Sequence, residues 1–317
     1  MLKNVCPICQ KTLVKKNRSY STEELFKLWK PVKFSQKIIN VHKKKSLKTQ
    51  LFICPNCELE IFLPQIIGTG SFYEELQQNE KAFYYEDDKW DFHEAVNDVT
   101  SGDQVMDLGC GPGGFLTSLK PLTSNLFGTE CNQEAARDAT KKGIKIINDR
   151  ELKSFKNEFN SVFSFHVLEH VDNPAAFLKL AISLVKPGGK ICISVPNQDG
   201  PIHFINPCVS NMPPHHATHW RKKTFEVLAE KMGLRIKRIV YEPLIDRDSY
   251  YYFVHWVNYK FKRDSAWGRF LNRSSHLILS IFFNLVFGLF KLIGKKTWPL
   301  FKSQALYVVM EKPEGKK

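Results

Sequence analysis

Residues 105–114, Val105-Met-Asp-Leu-Gly-Cys-Gly-Pro-Gly-Gly114, decide the fold of this 317-residue chain. The segment begins as an apolar strand that ends at Leu108, continues as a glycine-rich turn, and leads into a helix that begins near Gly113. Glycines at the carboxyl end of a first parallel strand let the backbone come close to a ligand. The segment therefore predicts an α/β fold with a ligand-binding turn at the edge of its sheet.

Short apolar runs and helical patterns alternate on both sides of this turn. Such alternation is typical of right-handed βαβ units and of a buried parallel sheet. The predicted strands cover 104–108, 125–130, 144–148, 161–165, 190–195, 234–242 and 305–310, and the predicted helices cover 115–120, 132–142, 174–185 and 220–232.

The acidic residue of the turn separates it from dinucleotide-binding turns. Asp107 precedes the first glycine, and no third glycine follows with the dinucleotide spacing. Over residues 72–242 and the last strand, the chain resembles the class I S-adenosylmethionine-dependent methyltransferases. The resemblance implies an α/β, Rossmann-like sheet of seven strands with S-adenosylmethionine as the cofactor.

The resemblance also assigns roles to residues at the ends of three successive strands. The turn from Asp107 to Gly113 would cradle the cofactor, and Glu130 would hold the ribose hydroxyls, since a carboxylate accepts two hydrogen bonds. Asp149, just past the third strand, occupies the position that contacts the adenine amino group. The full predicted cofactor-binding set is Asp107, Gly109, Cys110, Gly111, Gly113, Glu130, Asp149 and Phe165.

Two further motifs, Phe163-Ser-Phe-His-Val-Leu-Glu-His-Val171 and Leu184-Val-Lys-Pro-Gly-Gly189, narrow the resemblance. They are similar to the branch that contains ubiquinone-biosynthesis O-methyltransferases and bacterial saccharide methyltransferases, where the first motif lines the methyl-transfer pocket. Some relatives hold a divalent metal there with carboxylates and a histidine, but His166 replaces the first carboxylate here. Two interpretations stay open: a divalent metal near Glu169 and His170, or hydrogen bonds that stabilise the turn.

A histidine-rich segment, Asn211-Met-Pro-Pro-His-His-Ala-Thr-His-Trp220, precedes the predicted helix at 220–232. It resembles a segment of methyltransferases from bacterial surface-polysaccharide gene clusters. Methyl transfer to oxygen requires the acceptor hydroxyl to lose its proton, and a neutral histidine can accept that proton. We predict His215 or His216 as the general base, with His166 as the third candidate.

Two cysteine pairs near the start, Cys6-Pro-Ile-Cys9 and Cys54-Pro-Asn-Cys57, have the spacing of zinc knuckles. Four thiolates complete the coordination of Zn²⁺, so we predict a structural zinc ribbon with metal ligands Cys6, Cys9, Cys54 and Cys57. Between the pairs, Ser21-Thr-Glu-Glu24 predicts a capped helix.

The predicted domains are a zinc-ribbon module at 1–62, a methyltransferase core at 63–246, an insert at 247–303, and the last strand and tail at 304–317. Within the insert, the uncharged stretch 277–290 is too short for a confident bilayer span. Its polar residues recur every three or four positions, which predicts an amphipathic helix. Contact of 269–296 with a membrane surface and burial against protein are both compatible with this pattern.

The net charge of +14 favours an anionic partner, and the basic residues concentrate in 1–60 and 250–304. We therefore expect a cytoplasmic protein, with unpaired thiols and no export signal, in peripheral contact with the inner membrane face. The predicted function is O-methylation of a sugar, a lipid-linked saccharide or another small molecule.

Two other functions stay open. One is an rRNA or tRNA methyltransferase that grips RNA with its basic ribbon. Nucleic acid is the less favoured partner because no Asn/Asp-Pro-Pro-aromatic motif follows the fourth strand of the core. The other is a non-catalytic scaffold. The sequence does not specify the oligomeric state.

Overall fold

The computed structural model describes residues 4–43, 47–79, 88–205, 207–243 and 303–314, together with residues 252, 255, 281 and 285. The predicted helix of the insert and its membrane contact at 269–296 therefore lie outside the described residues, apart from two positions. Among the helices of these ranges, none combines the length and apolar character needed to cross a bilayer. The chain divides into two compact units, and the first, which comprises Met1–Pro196, Val209–Val240 and Tyr307–Lys317, holds every residue of the site described below.

Eleven strands and nine α-helices are described in these ranges. The strands are β1 (Val14–Ser21), β2 (Lys48–Ile53), β3 (Glu60–Leu63), β4 (Val105–Leu108), β5 (Leu126–Thr129), β6 (Lys145–Ile146), β7 (Phe159–Phe165), β8 (Val185–Pro196), β9 (Thr218–His219), β10 (Arg235–Tyr241) and β11 (Ala305–Glu311). The helices are α1 (Thr22–Leu28), α2 (Gln36–Lys43), α3 (Gly70–Asn79), α4 (Trp90–Val96), α5 (Gly114–Ser118), α6 (Gln133–Lys141), α7 (Asp149–Leu152), α8 (Pro174–Leu184) and α9 (Lys222–Met232).

Seven strands form the main sheet in the order β10-β11-β8-β7-β4-β5-β6, which confirms the predicted seven-stranded fold. Strand β4 pairs in parallel with both β5 and β7. The chain runs outward from β4 through β5 to β6, and then crosses back to β7 and β8. Because a crevice opens where the strand order reverses, the carboxyl ends of β4, β5 and β7 are where a ligand is expected.

The core explains why β4 lies at the centre of this sheet. All four of its residues are buried, so the strand can be covered on both faces. On one side, the rings of Phe115, Phe163 and Phe165 pack with centroids 4.7–5.9 Å apart. Phe165 also stacks parallel to Tyr307 of β11. Phe115 directly follows the glycine-rich turn, so this cluster anchors the start of α5 in the core.

A second sheet has the order β1-β2-β3-β9 and is antiparallel throughout. Helix α1 begins after Ser21, which forms the predicted capping box with Glu24. Strand β9 comes from the histidine-rich segment and pairs with β3 through Thr218 and His219. The sheet of the cysteine module is therefore completed by residues far beyond the predicted boundary at 62.

Candidate functional site

A cleft of about 730 Å³ opens at the carboxyl edge of the main sheet. It lies where the turns that follow β4, β5 and β7 come together, and the histidine-rich segment forms another of its walls. Its volume is in the range that holds one or two small ligands. The cleft brings together most of the predicted site residues: Asp107, Gly109, Cys110, Gly111, Glu130, Phe165, His166, Glu169, His170, His215 and His216.

The glycine-rich turn is tightly packed against neighbouring side chains. Gly109 has φ +87°, and a Cβ atom there would collide with the side chain of Val167. Gly113 has φ +80°, and a Cβ atom there would collide with Ile144. Positive φ and close packing both exclude a side chain, so the turn presents bare backbone to the cleft. Gly113 packs against Ile144 and is not among the residues that line the cleft.

Asp107 is a buried acid at the end of β4 with an exposed fraction of 2%. Its Oδ1 atom has no hydrogen-bond partner among the described residues. Burial, together with the charges of Glu130 and Asp91, raises the pKa of Asp107 to about 8. A buried carboxyl without a donor is costly, so the cleft is suited to a ligand that brings a donor or a positive charge.

Glu130 lies directly after β5, as predicted. Its two carboxylate oxygens accept hydrogen bonds from the backbone N–H groups of Gly111 at 2.9 Å and Asn132 at 2.7 Å. Each oxygen keeps a second lone pair for a ligand hydroxyl. Next to it, Ile147 and Asn148 line the cleft after β6. The backbone of Asp149 begins α7 there, but its side chain lies outside the described structure.

His166 lies between two buried carboxylates. Its Nε2 is 3.4 Å from Oδ2 of Asp91, and its Nδ1 is 3.4 Å from Oε1 of Glu169. Burial alone would lower the pKa of His166, but these two carboxylates raise it to about 9. The imidazole is therefore protonated at neutral pH. A protonated imidazole donates rather than accepts a proton, so this pKa favours His215 and His216 over His166 as the base; the choice among the three stays a prediction.

Asp91 is a site residue that sequence reasoning missed. It lies in α4, is completely buried, and approaches His166 from a segment 75 positions earlier in the chain. Burial would raise its pKa, but the contact with His166 lowers it. The surrounding sequence, Trp90-Asp-Phe-His, indicates only an aromatic helix. The signal in the sequence that could have revealed Asp91 is a charged residue among aromatic residues near the start of a helix.

Three further histidines that line the cleft form a compact cluster. The ring centroids of His170, His215 and His216 are 4.5–4.9 Å apart. One ring nitrogen from each lies within 4.8 Å of those of the other two. Burial and the neighbouring imidazoles lower the pKa values of His215 and His216 well below the usual range. These two are neutral at physiological pH, which is the state that the prediction of a general base requires.

The histidine-rich segment is held by backbone hydrogen bonds from two directions. From the cysteine module and the residues after it, Phe62 N–H donates to Ala217 at 3.0 Å and Gly68 N–H donates to Pro214 at 2.7 Å. From the main sheet, Ala217 N–H donates to the carbonyl of Glu169 at 2.9 Å. The module and the turn after β7 therefore position His215 and His216 together.

Buried charges strengthen the junction between the cysteine module and this segment. The carboxylate of Glu60 is fully buried and contacts Lys16, His219 and Arg221 at 2.6–3.0 Å. Burial would raise the pKa of Glu60, but the hydrogen bond and charge of His219, followed by Arg221, lower it far below the usual range. Arg221 also donates to the carbonyl of Glu58 at 2.7 Å, so one network reaches from the second cysteine pair to the end of the histidine segment.

The four predicted metal-ligating cysteines converge. Sγ of Cys6 is 3.4 Å from Sγ of Cys57, Sγ of Cys9 is 3.3 Å from Sγ of Cys54, and all four sulfurs lie within 4.8 Å of one another. A tetrahedral zinc with bonds of about 2.3 Å requires sulfur–sulfur distances of about 3.8 Å. The buried cluster is therefore compatible with a zinc site.

The comparisons with known proteins agree with this geometry. A family model described as a methyltransferase domain matches residues 77–238, about half of the chain, and the chain belongs to this family. A solved S-adenosylmethionine-dependent methyltransferase from Archaeoglobus fulgidus aligns with 74% of this chain and 97% of its own, at 19% identity and a TM-score of 0.50. That likeness supports the class I methyltransferase fold that the sequence predicted.

Two relatives in sequence are named as ubiquinone biosynthesis O-methyltransferases. The ubiquinone biosynthesis O-methyltransferase of Colwellia psychrerythraea is 35% identical over 104 residues, which cover 30% of this chain and 42% of the relative. The mitochondrial ubiquinone biosynthesis O-methyltransferase of Dictyostelium discoideum is 28% identical over 175 residues, which cover 45% of this chain and 54% of the relative. The chain thus spans about half the length of the curated relatives it matches.

The packing beneath the turn yields a prediction with a matched control. Gly109→Ala introduces strain at positive φ and a collision with Val167, whereas Gly102→Ala introduces the strain alone, since no atom lies within 4 Å of a Cβ at Gly102. We expect Gly102→Ala to cost about 1–2 kcal/mol in unfolding free energy and Gly109→Ala about 1–3 kcal/mol more. Urea unfolding of both variants measures the difference, and equal costs would show that the turn is not packed as described.

Proposed function

We propose that this protein transfers a methyl group from S-adenosylmethionine to a hydroxyl oxygen. The observation that carries the proposal is the cleft itself, which is lined by Asp107 and Glu130 and also by His215 and His216, whose pKa values burial lowers well below the usual range. Bound S-adenosylmethionine supplies an electrophilic methyl group on a positively charged sulfur. Acidic side chains suit that charge, and imidazoles suit an acceptor that must lose a proton.

The residues present fit the cofactor by their donor and acceptor chemistry. Asp107 has an unpaired buried oxygen for a donor group, and Glu130 keeps lone pairs for the two ribose hydroxyls. The bare turn of Gly109 and Gly111 admits a ligand that side chains would exclude. Phe165, with an exposed fraction of 7%, offers an apolar wall on the same side.

For the acceptor, we propose a hydroxyl of a sugar, a lipid-linked saccharide or a related small molecule. The described acidic residues of the cleft, Asp107, Glu130 and Glu169, outnumber its one lysine, Lys89. Such a lining disfavours a phosphate backbone near the reacting atoms, which supports a small-molecule acceptor over RNA. The relatives act, by their names, in ubiquinone biosynthesis as O-methyltransferases, which supports oxygen as the methylated atom.

The high pKa of Asp107 predicts a pH-dependent affinity for the cofactor. A bound cation stabilises the carboxylate, so binding releases a proton wherever free Asp107 is protonated, which is below pH of about 8. The affinity is expected to rise with pH by up to about tenfold per unit below that value and to level off above it. Calorimetry between pH 6 and 9 measures this slope. Asp107→Asn should bind weakly with no slope, whereas Asp103→Asn, two residues before β4, should keep it.

The acceptor class is tested by following the methyl group. Purified protein is incubated with methyl-labelled S-adenosylmethionine and a lysate of the source cell, and the products are separated into lipid or saccharide fractions and RNA. Asp107→Ala defines the background. We expect label above background in the lipid or saccharide fraction. Label in RNA would overturn the proposed acceptor, and wild-type protein that binds no S-adenosylmethionine would favour a scaffold.

We propose that the four cysteines bind one structural Zn²⁺, because four thiolates leave no open coordination position. Cys54→Ser is expected to remove this zinc and to lower the melting temperature, since metal binding contributes folding free energy. Cys131→Ser, at an exposed cysteine outside the cluster, is the control and should keep one zinc per chain by elemental analysis. Wild-type protein without zinc would contradict the proposal.

A further inference from the structure

A second cavity, of about 350 Å³, lies in the cysteine module. It is formed by residues between positions 23 and 39, which belong to α1, to the turn that follows it and to α2, and it shares no lining residue with the cleft. Its volume is at the lower end of the range found for small-molecule pockets. The methyl transfer proposed above makes no use of this pocket.

Part of the pocket lining is aromatic. Phe26, Trp29 and Phe34 line the pocket, and none of the three is more than 8% exposed. One face of Phe34 is already covered, because its ring stacks on that of Phe72 with centroids 4.6 Å apart. A nucleobase needs a free ring face to stack on, whereas an alkyl chain needs only apolar contact. This part of the lining therefore favours an alkyl chain.

The rest of the lining is mainly basic. Lys27, Lys30 and Lys33 recur every three positions, and Lys30 and Lys33 are joined by one turn of 3₁₀-helix, in which the N–H group of Lys33 donates to the carbonyl of Lys30 at 3.1 Å. Side chains three positions apart in such a turn lie one above the other. Of the described residues that line the pocket, one is acidic, Glu23, and no described acid is within ion-pair distance of Lys30 or Lys33. An anionic group is therefore complementary to this side of the pocket.

We propose that this pocket binds an alkyl phosphate, with the phosphate at the lysines and the first part of the chain against the aromatic side chains. A phosphate monoester has three strong acceptor oxygens and nearly two negative charges, which suits three lysines better than a carboxylate does. Burial of each methylene group strengthens binding about fourfold. The ligand is thus recognised by its charge and its chain together.

Trp29 connects this pocket with the histidine-rich segment. Its ring centroid is 5.9 Å from that of His215, and its Nε1 group donates a hydrogen bond to the carbonyl of Pro213 at 3.4 Å. An occupant of the pocket therefore contacts a residue that packs against the segment carrying His215. Binding of the alkyl phosphate itself does not depend on the cofactor, the acceptor or the reaction.

The test is calorimetry with hexyl phosphate as the probe, at concentrations where it is monomeric. The full chain is titrated as purified, without S-adenosylmethionine or acceptor, and one hexyl phosphate per chain is expected. Inorganic phosphate lacks the chain and hexanol lacks the charge. Each of them should bind at least about tenfold more weakly than hexyl phosphate does.

Variants separate the pocket from the general positive charge of the module. Lys30→Gln and Lys33→Gln should each weaken binding of hexyl phosphate about tenfold, since each removes a charged partner of the phosphate. Lys37→Gln removes the same charge at an exposed position of α2 that does not line the pocket, and it should bind as the wild type does. Ile39→Ala, in the lining, should weaken binding of hexyl phosphate and leave that of inorganic phosphate unchanged.

Melting curves establish that each variant is folded. Wild-type protein that binds no hexyl phosphate, or that binds hexanol or inorganic phosphate equally well, would overturn the site, as would an equal loss in Lys37→Gln and Lys30→Gln. Binding to phosphatidic acid vesicles without binding of hexyl phosphate would assign the lysines to a bilayer surface instead. Competition with S-adenosylmethionine would place the probe in the cleft and would also overturn the site. Calorimetry with S-adenosylmethionine alone tests the proposed function separately.

Discussion

The site depends on β4 being buried between two parallel partners. The pairing of β4 with β5 and β7 brings the ends of three strands to one edge of the sheet, where Asp107, Glu130 and His166 follow in turn. The backbone at these ends has no further strand partner, so it can turn toward a ligand. The cleft is therefore formed jointly by the turns that follow these three strands.

A second constraint comes from the cysteine module. Its sheet is completed by β9, whose two residues follow His215 and His216 almost directly. Because Glu60 is fully buried among Lys16, His219 and Arg221, the junction combines ladder hydrogen bonds with a satisfied buried charge. The cysteine module therefore holds in place the segment that carries His215 and His216. A basic module that looks from its composition like a separate binding unit is thus part of the architecture of the site.

The charges of the cleft are arranged in two groups. Asp107 lies with Glu130 near the glycine turn, and burial favours its neutral form. Asp91 and Glu169 lie on either side of His166 and keep it protonated, with raised pKa. The first group suits a positively charged ligand, and the second fixes the turn after β7. His215 and His216 line the same cleft, and burial lowers their pKa values well below the usual range.

Local patterns in the sequence were sufficient for everything that depends on near neighbours in the chain. The glycine turn, the acid after β5, the capped helix at Ser21 and the two cysteine pairs each follow from residue types at short spacing, and the described structure agrees with them.

The environment of the candidate catalytic histidines depends on contacts between segments that are distant in the chain. His166 is a candidate base by its position in the sequence, but its pKa is raised by Asp91 and Glu169, and Asp91 comes from a helix that no motif links to it. The pairing of β9 with β3 and the meeting of His170 with His215 and His216 likewise join distant segments. Only the tertiary structure decided these points, because the protonation and orientation of a buried side chain are set by the charges and carbonyls packed around it, and those come from parts of the chain that spacing alone does not connect.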